Sequence, residues 1–110
     1  MNPVAFVSNP EPNLLVLSGE IDLHASPRMR KALTQMVERE EKRILIDLTA
    51  VTYMDSSGIA VLIETMQRTQ GYGGQLALFG VPPRVQTVFE IAQLNQVLQV
   101  FPDKASALGV

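Results

Sequence analysis

The segment Asp55-Ser56-Ser57-Gly58 has the residue types that do chemistry: a carboxylate, two hydroxyls and a glycine directly before the apolar run Ile59-Ala60-Val61-Leu62-Ile63. If that run is a helix, its first N–H groups lack intrahelical partners and the positive end of its dipole falls at the serines, so a small anionic group could be held there. The ordinary explanation of Ser or Asp in that place is an N-cap, worth about 1 kcal/mol through one bond to an orphan N–H. Three features exceed it. Asp55, Ser56 and Ser57 are candidate caps in a row where one suffices. Neither serine has Glu or Gln three residues on, since Ile59 and Ala60 stand there, so no capping box forms. Gly58 leaves the backbone open to close approach. A phosphate on Ser56 would add about −1.5 to −2 charges where the dipole welcomes them, yet beside Asp55, which repels them. That conflict suits a reversible switch that alters the charge of a partner-binding face without moving the fold.

A nucleophilic serine is the rival use of the same residues. His24 is the only histidine, and with Asp22 it would complete a Ser–His–Asp set with Ser56 if the loop after the second strand lies beside the helix start. Against this, the Gly-x-Ser-x-Gly elbow is lacking, since of its flanking positions Gly58 is glycine but Met54 is not, and nothing marks an oxyanion hole. The hydrolase reading predicts ester turnover lost equally in Ser56→Ala and His24→Ala. Asp22, His24, Asp47 and Asp55 show no metal-ligand spacing, so no metal and no cofactor is expected.

Composition narrows the class further. At 110 residues the chain reads as one domain, 1–110, and with 46% hydrophobic and 18% charged residues it has an ordinary globular balance. The absence of cysteine removes disulfide frameworks and thiolate chemistry and is compatible with a reducing cytoplasm. The start Met1-Asn2-Pro3-Val4 lacks a basic, long-apolar secretory pattern, and no run reaches the roughly 18 apolar residues of a spanning helix, so a cytoplasmic protein without membrane insertion is expected. Net charge is −2, with no basic stripe beyond Lys42-Arg43 and Arg28/Arg30/Lys31, and aromatic platforms are scarce; direct nucleic-acid binding is disfavoured.

The elements that must position the site follow from hydrophobic period and turn chemistry. Val4-Ala5-Phe6-Val7 and Leu14-Leu15-Val16-Leu17 read as strands separated by a turn over Ser8-Asn9-Pro10-Glu11-Pro12-Asn13. Ser26-Pro27 reads as an N-cap with proline at the first helical position, opening an amphipathic helix with Met29, Leu33, Met36 and Val37 on its inner face, ending near Glu40. Ile44-Leu45-Ile46-Asp47-Leu48 suits a central strand buried on both faces, whose Asp47 needs a partner. The next helix, from about Ser57 to Gln70, is nearly apolar all round in its first half and should lie against the sheet; Gly71-Tyr72-Gly73-Gly74 stops it. A strand over 75–79, a helix carrying Val85, Val88, Phe89 and Ala92, a strand over 97–101 and at most two helical turns before Leu108 complete the chain. Strands alternating with helices imply an α/β fold, a central mixed β-sheet with packed helices.

These residues resemble the STAS domain family (sulfate transporter and anti-sigma factor antagonist). The resemblance rests on Leu17-Ser18-Gly19-Glu20-Ile21-Asp22, on Ile46-Asp47-Leu48 leading to Tyr53-Met54-Asp55-Ser56-Ser57-Gly58, and on Gly74-Gln75-Leu76-Ala77-Leu78 with Gly80-Val81-Pro82-Pro83-Arg84-Val85. It implies a small α/β domain that binds partners and is not an enzyme. Ser56 looks like the serine that an anti-sigma factor, acting as a serine kinase, phosphorylates in anti-sigma factor antagonists. The unphosphorylated antagonist binds that kinase, and a phosphatase resets it. Asp22 and Asp55 match acidic positions near that serine, and Ser57, Gly58 and Ile59 would share the recognition surface. Two departures stand out. Gln93 occupies a place where many members have glycine, and Glu64 is similar to stand-alone STAS subunits that sit on the ATPase of lipid-transporting ABC systems, which share the fold but need no phosphorylation cycle. Regulator and transporter subunit both remain open at this level.

Overall fold

The computed structural model describes residues 5–109. Its centre is a five-stranded sheet in the order β1-β2-β3-β4-β5, formed by Phe6–Glu11, Leu14–Ile21, Arg43–Met54, Gln75–Phe79 and Gln99–Phe101. β1 is antiparallel to β2, and the other neighbours are parallel, so the sheet is mixed as the sequence implies. The helices α1 (Ser26–Glu38), α2 (Ser56–Gly71) and α3 (Pro83–Ile91) bridge successive parallel strands. Because the crossovers step across the sheet in one direction, same-handed connections leave all three on one face.

Alternation along each strand builds the core. Leu15 and Leu17 of β2, Ile44, Ile46 and Leu48 of β3, and Leu76 and Leu78 of β4 meet Met29, Leu33 and Met36 of α1, Val61 and Leu62 of α2, and Val85 and Phe89 of α3. The intervening residues Leu14, Leu45, Ala77 and Phe79 bury the opposite face with Ala107 of α4, the short helix Lys104–Leu108. β3 is therefore buried on both sides along 44–48, as its apolar run predicts. The partner that Asp47 requires is Thr49, which donates its backbone N–H at 2.9 Å and its hydroxyl at 2.6 Å.

Several boundaries differ from the sequence expectation, each for a physical reason. Val4, placed in the first strand, lies outside the described residues. Ser8 to Glu11 are strand rather than turn, and the hairpin turn shrinks to Pro12-Asn13. The register shifts between Ser8 and Glu11, which lets Pro10 sit without a ladder N–H on an edge strand while the Asn9 amide donates to the Leu14 carbonyl at 2.6 Å. β3 continues six residues past Leu48 to Met54, because β2 extends alongside it as far as Ile21. Ser26 does not cap α1. Ala25 holds the cap position without a side-chain bond, and Ser26 is buried as the first helical residue. α1 ends at Glu38, two residues early, with Glu40 in a left-handed conformation at φ 52°. β5 is shorter than expected, since Val97 closes the single 3-10 turn Leu94–Gln96 instead.

Candidate partner-recognition site

The neighbouring parallel strands β2 and β3 end together, with Ile21 opposite Met54. The loops leaving their carboxyl ends therefore lie side by side, where open α/β sheets place their binding sites. One loop carries Asp22-Leu23-His24-Ala25 into α1, and the other is Asp55 alone before α2. The Asp55 backbone N–H donates to the Ile21 carbonyl at 3.1 Å and joins them.

Of the three candidate caps of α2, Asp55 is the cap. Its backbone is extended, and its carboxylate accepts the Ser57 N–H at 2.9 Å and the Ser57 hydroxyl. Burial pushes its pKa up, but the Ser57 hydroxyl and N–H, helped more weakly by the N–H groups of Gly58 and Leu23, outweigh that and hold it below the ordinary aspartate value. The helix start thus receives its anion from within the chain, and the expected cradle for an external anion is already occupied by Asp55. Ser57 is tied into this cap and is half-buried. Ser56, one residue earlier, is the first residue of the helix and is exposed. Three residues of similar capping propensity have divided the work, and only one of the two hydroxyls stands free of it.

Asp22 shapes the adjoining loop. One carboxylate oxygen accepts the N–H groups of His24 and Ala25, each at 3.0 Å, and its carbonyl accepts the N–H of Ser26 at 2.8 Å. Asp22 therefore meets the main chain of His24 rather than its imidazole, and the orientation a Ser–His–Asp set requires is not formed. Gly58 departs from its expected place on an open surface. It is buried, and a Cβ there would lie 2.8 Å from Met54 Cγ and 2.9 Å from Ile21 Cγ2. Its glycine is demanded by close packing of α2 on the strand ends. Ile59 is half-buried against the same core. Further along α2, Glu64 pairs with Arg30 of α1 at 3.2 Å.

Sequence reasoning missed Leu23 and Tyr53, which leave large apolar surface in water next to this site. Leu23 gave one signal: an isolated apolar residue between Asp22 and His24 that belongs to neither strand nor helix periodicity.

The model of the STAS domain matches residues 4–107. The chain belongs to the STAS domain family. This STAS domain is 33% identical over 86 residues to the anti-sigma-B factor antagonist of Listeria monocytogenes serovar 1/2a, covering 78% of this chain and 75% of that protein. Its fold is also that of an anti-sigma factor antagonist from Mycobacterium paratuberculosis, with a TM-score of 0.80 at 23% identity over 96% of this chain and 91% of the other. The unphosphorylated form of the anti-sigma factor antagonist SpoIIAA superimposes with a TM-score of 0.75 at 20% identity, over 94% and 92% of the two chains. The STAS fold therefore brings Asp22, Asp55, Ser56, Ser57 and Ile59 to one end of the sheet, with Gly58 packed beneath them.

Proposed function

We propose that this STAS domain is an anti-sigma factor antagonist, a protein-binding module rather than an enzyme, whose unphosphorylated form sequesters an anti-sigma factor that is also a serine kinase. Ser56 is the phosphorylated residue, and Asp22, Asp55, Ser56, Ser57 and Ile59 form the recognition surface over the buried spacer Gly58. The observation that carries the reading is the exposed Ser56 hydroxyl beside a cap completed by Asp55 and Ser57. A kinase can reach Ser56 without unwinding the helix start. In the reaction the Ser56 oxygen attacks the γ-phosphorus of ATP, ADP departs, and the hydroxyl proton passes to a base of the kinase. The product phosphate then confronts both Asp55 and the phosphates of a bound nucleotide, which lowers affinity for the kinase and releases it. A phosphatase restores the binding form in the cytoplasm.

The resemblance of the relatives named anti-sigma-B factor antagonist supports this reading. The transporter-subunit reading leaned on Glu64 alone, and the relatives named anti-sigma factor antagonist do not favour it. The test is affinity: Ser56→Asp should bind the cognate kinase at least tenfold more weakly than Ser56→Ala, measured by calorimetry in the presence of nucleotide. Equal affinity of the two variants would remove the switch.

A further inference from the structure

Leu23 is 72% exposed and Tyr53 43% exposed, on the two strand ends that flank Ser56. A single leucine in water is ordinary. Leu23 differs in that its backbone is fastened on both sides: Asp22 takes the N–H groups of His24 and Ala25, and the Ile21 carbonyl receives the Asp55 N–H. A large apolar side chain on a fixed loop loses little backbone freedom on association, which lowers the cost of burying it against a partner. The surroundings specify the partner's charge. Glu20 stands opposite Tyr53 in the β2–β3 register, Asp22 and Asp55 adjoin Leu23 and Ser56, and neither 20–27 nor 53–64 contains Lys or Arg. Acidic residues thus adjoin Leu23 and Ser56 along both strand ends.

We infer that Leu23 is the anchor by which this protein docks on its anti-sigma factor kinase, inserting into an apolar pocket of that partner whose edge carries Arg or Lys facing Glu20, Asp22 and Asp55. The inference rests on the reading of Ser56 as the kinase's substrate and adds the contact that sets Ser56 at a fixed offset from the nucleotide. Apolar insertion governs how long the complex lasts, and the acidic residues govern how fast it forms.

The experiment uses the full chain and, as probes, the purified anti-sigma factor kinases encoded in the same genome, choosing the one that phosphorylates the wild type. Leu23→Ala should weaken binding about 10- to 30-fold through faster dissociation, at low and high salt alike, with an unchanged melting temperature. Leu23→Met should restore affinity to within about threefold, since it refills an apolar pocket. Glu20→Gln should slow association at low salt, with the effect fading as salt rises. Wild-type affinity in Leu23→Ala, with Ser56 still phosphorylated, would overturn the anchor and leave the Ser56 reading standing. If no kinase of the set phosphorylates Ser56, the Ser56 reading falls and the anchor falls with it.

Discussion

The backbone N–H of Asp55 donates to the carbonyl of Ile21 at 3.1 Å, fastening the end of β2 to the start of α2. That bond, with the Asp55 carboxylate on Ser57, sets the loop of Asp22 and Leu23 beside Ser56. The surface around Ser56 is thereby built on strand ends and a capped helix rather than on a long loop, so its geometry is inherited from the sheet.

Removing the cap should cost stability and leave Ser56 exposed. Asp55→Ala is expected to destabilise the protein by about 1 kcal/mol, the usual worth of an N-cap. Ser56→Ala, which removes no cap bond, should stay within about 0.5 kcal/mol of wild type. Urea unfolding of both variants distinguishes them. A larger loss in Ser56→Ala than in Asp55→Ala would mean that the cap has been assigned to the wrong residue.

Acidification should act through the same carboxylate. Asp55 has its folded pKa held below its unfolded value, so the unfolded state binds the proton first. Its contribution is present above the ordinary aspartate value of about 3.9 and is lost as pH falls through its lower folded value. Asp103, which caps α4 by accepting the Ser106 N–H at 2.8 Å, is shifted the same way. Wild type should lose stability on acidification below about pH 4 more steeply than Asp55→Asn, measured by thermal melts across pH.

Gly58 gives a packing prediction. Gly58→Ala gains helix propensity of about 1 kcal/mol but drives a methyl into Met54 and Ile21, and overpacking of that kind costs about 1–3 kcal/mol. The net effect should be destabilising, whereas the same change at Gly71, where a Cβ meets nothing, should not be. Equal stability changes at the two positions would contradict the close contact.

Gln93 stands at φ 59°, a left-handed conformation that costs a side-chain-bearing residue about 1–2 kcal/mol. The turn before the 3-10 segment forms in spite of that cost. Gln93→Gly removes the steric penalty and, after its own greater loss of chain entropy, should stabilise the protein by about 0.5–1 kcal/mol. A lower melting temperature for Gln93→Gly would count against it.

How much of this was legible before the structure depended on whether a residue's role is local or tertiary. The uninterrupted apolar run at 44–48 announces a doubly buried strand, and Met29, Leu33 and Met36 announce the inner face of α1, because burial writes itself into periodicity. The continuation of β3 through Thr49 to Met54 was hidden, since its polar residues face water and its pairing depends on β2. The cluster around Pro10 imitates a turn but is an edge-strand irregularity. At the helix start, Asp55-Ser56-Ser57 were visible as residues of capping type, but their division of labour was not, because all belong to the class that caps helices. Gly58 was misread as openness, since what enforces it is the packing of α2 on the Met54 and Ile21 side chains at the two strand ends, and Ile21 lies 37 positions away in sequence.

The most direct measurement is the site of phosphorylation. After incubation of the full chain with ATP and its cognate anti-sigma factor kinase, peptide mass spectrometry should find one phosphate, on Ser56, with none in Ser56→Ala and the phosphate still on Ser56 in Ser57→Ala. A phosphate on Ser57, or a chain that binds the kinase and is never phosphorylated, would contradict the account.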